Sequence, residues 1–241
     1  MQRTAALLIG LACGLAHADE AAIRRVMEGK LGGAKIEGIQ PGPIPGLYEV
    51  RYRAAEGMEI VYTDANADHI IVRGRVIDAK SNRDLTSERL AKLNAVSFAS
   101  LPLDQAVKIQ RGSGRHVLAM FSDPHCPYCI RFEKTLQEVD DVTIYVFMYP
   151  VIRPDLTDHS KAVWCSPDRA KAWLDLALNG KVPGVSAACD TPIEKNLELG
   201  RRLRVSGTPT LILPTGEKIS GAIGAQDLRE VLADATARAK R

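Results

Sequence analysis

Val117-Leu118-Ala119-Met120-Phe121-Ser122-Asp123-Pro124-His125-Cys126-Pro127-Tyr128-Cys129 is the stretch from which the rest of the chain can be read. Val117 to Phe121 is a near-continuous apolar run, the signature of a strand covered on both faces. From Pro127 the period changes: Phe132, Leu136 and Val139 line one side of a helix predicted over 127–139. The two cysteines of this C-x-x-C therefore stand where a buried strand passes into a helix. A bare C-x-x-C also occurs in zinc sites, so it is the context that makes the motif informative.

Downstream, Val142 to Tyr149 reads as a second buried strand. Helices are expected through Val163-Trp164, from Ser166-Pro167 to Asn179-Gly180, and from Thr191-Pro192. In the last of these, Thr191 and Glu194 have capping-box spacing, with Pro192 at the first helical position. Strands return at Thr210–Leu213 and Glu217–Ser220 around a Pro214-Thr215-Gly216 turn, and a helix runs from Gln226 onward. The order β-α-β, helical insertion over about 152–204, then β-β-α is that of a thioredoxin-like α/β domain, here assigned to 101–241.

Residues 19–80 read differently. Ile23, Val26 and Met27 share a helical face, ended by Gly29, Gly32 and Gly33. Pro41, Pro43 and Pro45 mark an irregular connector. Tyr48, Val50 and Tyr52 alternate with Glu49, Arg51 and Arg53, Met58, Ile60 and Tyr62 repeat the pattern after a turn at Glu56-Gly57, and Ile70-Ile71-Val72 follows. A helix with an antiparallel meander of about sixty residues buries little surface alone, so it needs a partner surface. A charged helix over 84–97, within a linker assigned to 81–100, joins the two parts. The whole is α+β in class.

At the N-terminus, Arg3 precedes an uncharged run from Ala5 to Ala16, and Ala16-His17-Ala18 supplies the small residues of a cleavage site. Residues 1–18 read as a cleavable secretory signal, with an apolar run too short to span a bilayer. The mature chain then holds four cysteines, Cys126, Cys129, Cys165 and Cys189, in an oxidising compartment where disulfides persist. Composition excludes several classes: 46% hydrophobic and 25% charged residues rule out a disordered or collagen-like chain. A net charge of +3 and 5% aromatic residues argue against a nucleic-acid partner.

At a helix N-terminus, unpaired backbone N–H groups and the macrodipole favour an anion, here the Cys126 thiolate, which is the attacking species. Cys129, one turn on, is expected to lie deeper and to close a disulfide with Cys126. Pro127 suits the first helical position. His125 either stabilises the thiolate or is a loop histidine; Asp123 either caps the turn or relays a proton. Such chemistry needs no cofactor or metal.

Phe121-Ser122-Asp123-Pro124-His125-Cys126-Pro127-Tyr128-Cys129, taken with Gly207-Thr208-Pro209-Thr210, Trp164-Cys165, Ala188-Cys189-Asp190 and Asp68-His69-Ile70-Ile71, resembles the DsbC/DsbG family of periplasmic disulfide isomerases. The resemblance covers nearly the whole chain and is nearer to DsbC beyond the active pair, although Pro127-Tyr128 between the cysteines is also typical of DsbG. It implies a homodimer paired through the N-terminal domains, a cis Thr208-Pro209 peptide against the active pair, and a structural Cys165–Cys189 disulfide. It further implies isomerase or reductase activity with chaperoning on misfolded disulfide-containing exported proteins, and re-reduction by a membrane reductase of the DsbD type. The alternatives are a DsbG-like reductase of sulfenylated cysteines, a dimeric holdase with secondary redox activity, and a zinc site built from all four thiols.

Overall fold

A computed structural model describes residues 20–55 and 57–239; the signal-peptide assignment at 1–18 and Glu56 lie outside the described residues. The chain divides into two compact units at Leu90/Ala91.

In the first unit, helix α1 (Glu20–Lys30) is followed by strands β1 (Ile36–Pro41), β2 (Tyr48–Ala54), β3 (Gly57–Thr63) and β4 (Ile70–Ile71), paired antiparallel in that order. Ile23 and Met27, one helical turn apart, are fully buried against Ile36, Val50, Val61 and Ala67. Strand β1 was not expected: Gly38 and a bulge between Ile36 and Gly38 break its period, and it runs straight into the proline connector. The meander also differs from a half-buried one. Glu49, placed on the polar side by its alternation, is buried, with Arg89 Nε at 3.2 Å, and Tyr62 Oη meets Thr86 Oγ1 at 2.7 Å. The second sheet face is thus covered by the start of α2 (Leu85–Leu93), which follows a short ribbon of β5 (Ile77–Asp78) and β6 (Arg83–Asp84). Asp84 caps α2 by accepting from Ser87 N at 2.9 Å. The helix ends at Leu93, short of the expected 97, and Val96 N donates instead to Gly216 O at 2.8 Å.

The second unit is built on a five-stranded sheet. Strands β7 (Val107–Gln110), β8 (His116–Ser122) and β9 (Val142–Met148), with β10 (Thr210–Ile212) and β11 (Lys218–Ser220), lie in the order β11-β10-β8-β9-β7. Only β8 and β9 run parallel; the rest pair antiparallel. Helices α3 (Pro127–Leu136), α4 (Thr157–Cys165), α5 (Arg169–Asn179), α6 (Ile193–Arg202) and α7 (Ala225–Ala239) complete it. The apolar run of β8 is explained by its central place. Leu118 and Met120 enter one core with Phe132, Leu136, Val163, Trp173 and Leu232, while Ala119 and Phe121 enter the other with Phe147, Tyr149 and Leu199. Burying each such side chain contributes roughly 1.5–3 kcal/mol. Phe121 stacks on Phe147 at 5.1 Å and meets Tyr149 edge-on at 5.5 Å. The expected capping box at 191–194 is not formed: α6 starts at Ile193, Pro192 is its N-cap, and no side chain caps it. No helix among the described residues is long and apolar enough to cross a membrane.

Candidate active site at the head of α3

Strand β8 delivers the chain to Asp123, which is completely buried. Its carboxylate is the hub of the turn: Oδ1 accepts from His125 N at 2.8 Å and Oδ2 from Ile152 N at 2.8 Å, and its carbonyl accepts from Cys126 N at 3.1 Å. Asp123 therefore caps the turn that launches α3 and ties it to the loop after β9. Both carboxyl oxygens of this buried side chain thus have backbone N–H partners, as a buried polar group requires.

Cys126 is the N-cap of α3, in extended conformation, with Pro127 at the first helical position. Its side chain makes no capping hydrogen bond to the helix, but a sulfur at a helix N-terminus stands at the end where the macrodipole favours negative charge. Its Sγ donates to Thr208 O at 3.3 Å, and the Thr208-Pro209 peptide is cis. Pairing of Thr210 with Phe121 between β10 and β8 brings this peptide beside the end of β8, hence beside Cys126. Thr210 Oγ1 steadies the same turn by donating to Gly207 O at 2.7 Å.

Cys126 and Cys129 are unpaired thiols, 3% and 2% exposed, so solvent access scarcely separates them. Surroundings do. Burial pushes the Cys129 thiol up to about 12, against the opposing pull of Ser122, Thr208 and the Asp123 backbone. Neither the Ser122 nor the Thr208 hydroxyl has a hydrogen-bond partner among the described residues, leaving both able to donate to a Cys129 sulfur that loses its proton. In front of the pair, Pro127 and Tyr128 face solvent, Tyr128 at 58% exposure with the Arg131 guanidinium 5.1 Å from its ring centroid.

Comparison with known proteins places this geometry. Residues 103–236 match the thioredoxin-like domain, and residues 14–87 match the N-terminal domain of disulfide bond isomerase proteins. A Salmonella typhimurium protein named thiol:disulfide interchange protein DsbC is 30% identical over 234 residues, covering 94% of this chain and 92% of its own. The chain belongs to the DsbC family. A Bordetella parapertussis protein named "Probable thiol:disulfide interchange protein DsbC" is 42% identical over 183 residues, 76% of this chain; the match spans only 63% of that longer relative. The crystal structure of a disulfide interchange protein from Neisseria gonorrhoeae is 40% identical and superposes with a TM-score of 0.54 over 56% of this chain and 99% of its own.

In this DsbC-family chain, Cys165 and Cys189 are joined in a disulfide spanning 24 residues, with Cα atoms 5.8 Å apart. Two of the four thiols are thereby committed to each other, so a site built from all four is not formed. The bridge fastens the end of α4 to the segment before α6.

Two site residues escaped the sequence reading. His159, on α4, lies against His125, and nothing local in the sequence links positions 34 apart. Glu133 is 1% exposed, one turn beyond Cys129. Its Oε1 accepts from Trp173 Nε1 at 2.7 Å, and burial pushes it up to about 7. Here a signal existed: positions 129, 132, 133 and 136 are the i, i+3, i+4 and i+7 of one buried helical stripe.

Proposed function

We propose that this chain is a periplasmic protein disulfide isomerase and reductase that rearranges wrong disulfides in exported proteins. The observation that carries this reading is the asymmetric pair: Cys126 at the helix head against Thr208 O, and Cys129 behind it as a thiol that burial keeps protonated. The Cys126 thiolate attacks a substrate disulfide. A bond forms between its Sγ and one substrate sulfur, the substrate S–S bond breaks, and the other substrate sulfur leaves as a thiolate and takes a proton. That thiol, once ionised, attacks another bridge and eventually the mixed disulfide itself, returning Cys126 reduced. When rearrangement stalls, Cys129 loses its proton and attacks Cys126, releasing reduced substrate and leaving Cys126–Cys129 oxidised. A membrane reductase of the DsbD type then restores the dithiol.

In this reading Thr208 and Pro209 form the wall along which an extended substrate lies, and Pro127 and Tyr128 its front. Asp123 and His125 support the turn. Residues 19–80 form the dimerisation domain, 81–100 the linker, and 101–241 the catalytic domain, with 1–18 removed on export. The match of 14–87 to an isomerase N-terminal domain supports pairing of two copies.

The test is refolding of a scrambled multi-disulfide substrate by the purified protein. Turnover is expected for the wild type and reduction to the uncatalysed rate for Cys126→Ala. Equal performance of the two would remove the basis of the reading.

A further inference from the structure

Behind the active pair, two hydroxyl oxygens are buried with nothing to bond. Side chains alternate along β8: Leu118 and Met120 enter the core that holds Phe132 and Leu136 of α3, whereas Ala119 and Phe121 enter the opposite one. Ser122 ends the strand and continues the first series, so its side chain lies on the α3 face. Cys129, Phe132 and Leu136 share the buried stripe of α3, with Cys129 at its N-terminal end. Only residues 123–126 separate that helix head from the end of β8, which brings the Cys129 sulfur to the level of Ser122. Ser122 is 0% exposed, and its hydroxyl has no hydrogen-bond partner among the described residues. The Thr208 hydroxyl is buried and unpartnered in the same way, while the Thr208 carbonyl takes the Cys126 Sγ contact at 3.3 Å. Pairing of Thr210 with Phe121 sets the Thr208 turn beside the same strand end.

A buried hydroxyl left without a partner costs a protein stability, so two of them at one sulfur call for a physical reason. A thiol accepts hydrogen bonds weakly, whereas an ionised acceptor makes strong ones. The two hydroxyls are therefore idle in the dithiol and gain an acceptor only when Cys129 gives up its proton. Burial, the largest influence on Cys129, holds the proton on; Ser122, the Asp123 backbone and Thr208 pull the other way. An ionised Cys126 also opposes a second thiolate beside it. A Cys126 tied into a mixed disulfide carries no charge, so that opposition disappears when Cys129 has to act. Donors already fixed where charge develops need no rearrangement as it forms.

We propose that Ser122 is a positioning residue for the resolving step: with Thr208, its hydroxyl donates to the Cys129 thiolate formed behind a mixed disulfide, and so sets how long a substrate stays on Cys126. In that step the Cys129 S–H proton passes to solvent. The Cys129 sulfur forms a bond to Cys126 Sγ as the bond from Cys126 to the substrate sulfur breaks. The substrate sulfur leaves as a thiolate and takes a proton from solvent, so the cysteine pair is oxidised and the substrate reduced by the same two electrons. Fast resolution favours release of reduced substrate; slow resolution leaves the attached substrate time to rearrange. The inference rests on the exchange reading above and divides it into two steps that can be timed separately.

The experiment uses the full chain, reduced, as wild type, Ser122→Ala and Thr208→Val, each mixed with glutathione disulfide. Acid quenching and mass spectrometry follow the glutathione adduct at Cys126 and its conversion into the Cys126–Cys129 disulfide. Ser122→Ala should slow conversion relative to adduct formation by about tenfold. Thr208→Val, which keeps the carbonyl against Cys126, should shift the ratio in the same direction. The urea midpoint of Ser122→Ala should equal or exceed that of the wild type, because the hydroxyl it lacks had no partner to lose. A wild-type ratio in either variant overturns the proposal. So does a lowered midpoint or failure to fold in Ser122→Ala, which marks a serine that only supports the fold. A wild type that forms no adduct at Cys126 overturns the exchange reading as well, whereas an adduct resolved equally fast in all three proteins overturns this inference alone.

Discussion

Glu133 has no exchange chemistry of its own, yet it sits on the buried stripe of the active-site helix and is 1% exposed. One oxygen accepts from Trp173 Nε1–H, while the other has no hydrogen-bond partner among the described residues, and Arg111 supplies a nearby positive charge. The folded chain therefore prefers the protonated acid up to about pH 7, whereas the unfolded chain releases that proton near the ordinary value of 4.5. The stability contributed by the protonated form is complete below the unfolded value and is lost as pH rises toward the folded one. Glu133→Gln keeps an oxygen for Trp173 and does not ionise. Relative to wild type, the variant should gain about 2–3 kcal/mol between mildly acidic and mildly alkaline pH. Urea unfolding of both proteins at the two ends of that range checks it. The cysteine pair is legible in the sequence from its place between a buried strand and a helix, whereas the cis Thr208-Pro209 turn beside it follows only from the family resemblance. Glu133 was legible in principle from helical spacing, whereas His159 was not, because its role depends on which turn α4 meets.

Among the elements, those with a strong period were read correctly and those with mixed burial were not. Strand β8 and helix α3 follow from an apolar run and a helical stripe. Strand β7 is only four residues long, with alternating burial, and β1 is interrupted by a bulge, so neither stood out. The meander of the first unit was recognised, but not its second buried face, because Glu49 looked like a solvent residue until Arg89 and the start of α2 covered it. A capping-box spacing at 191–194 predicted a cap that Pro192 occupies instead. Local patterns thus identified the elements, while the partners that each one meets came from packing.

At the scale of the whole molecule, the sequence carries two units whose separate family matches, 14–87 and 103–236, account for most of the chain. If the first of these pairs two copies, the full chain should sediment at twice its sequence mass. Monomeric sedimentation at concentrations where turnover is measured would remove the dimer from the account. The chemistry itself is tested most directly by trapping. With Cys129→Ser, a mixed disulfide formed at Cys126 has no internal sulfur to release it. Incubated with a scrambled protein and mapped by mass spectrometry, the variant should accumulate a covalent adduct through Cys126. Absence of any adduct, or an adduct carried by Cys165 or Cys189 in its place, would contradict the account.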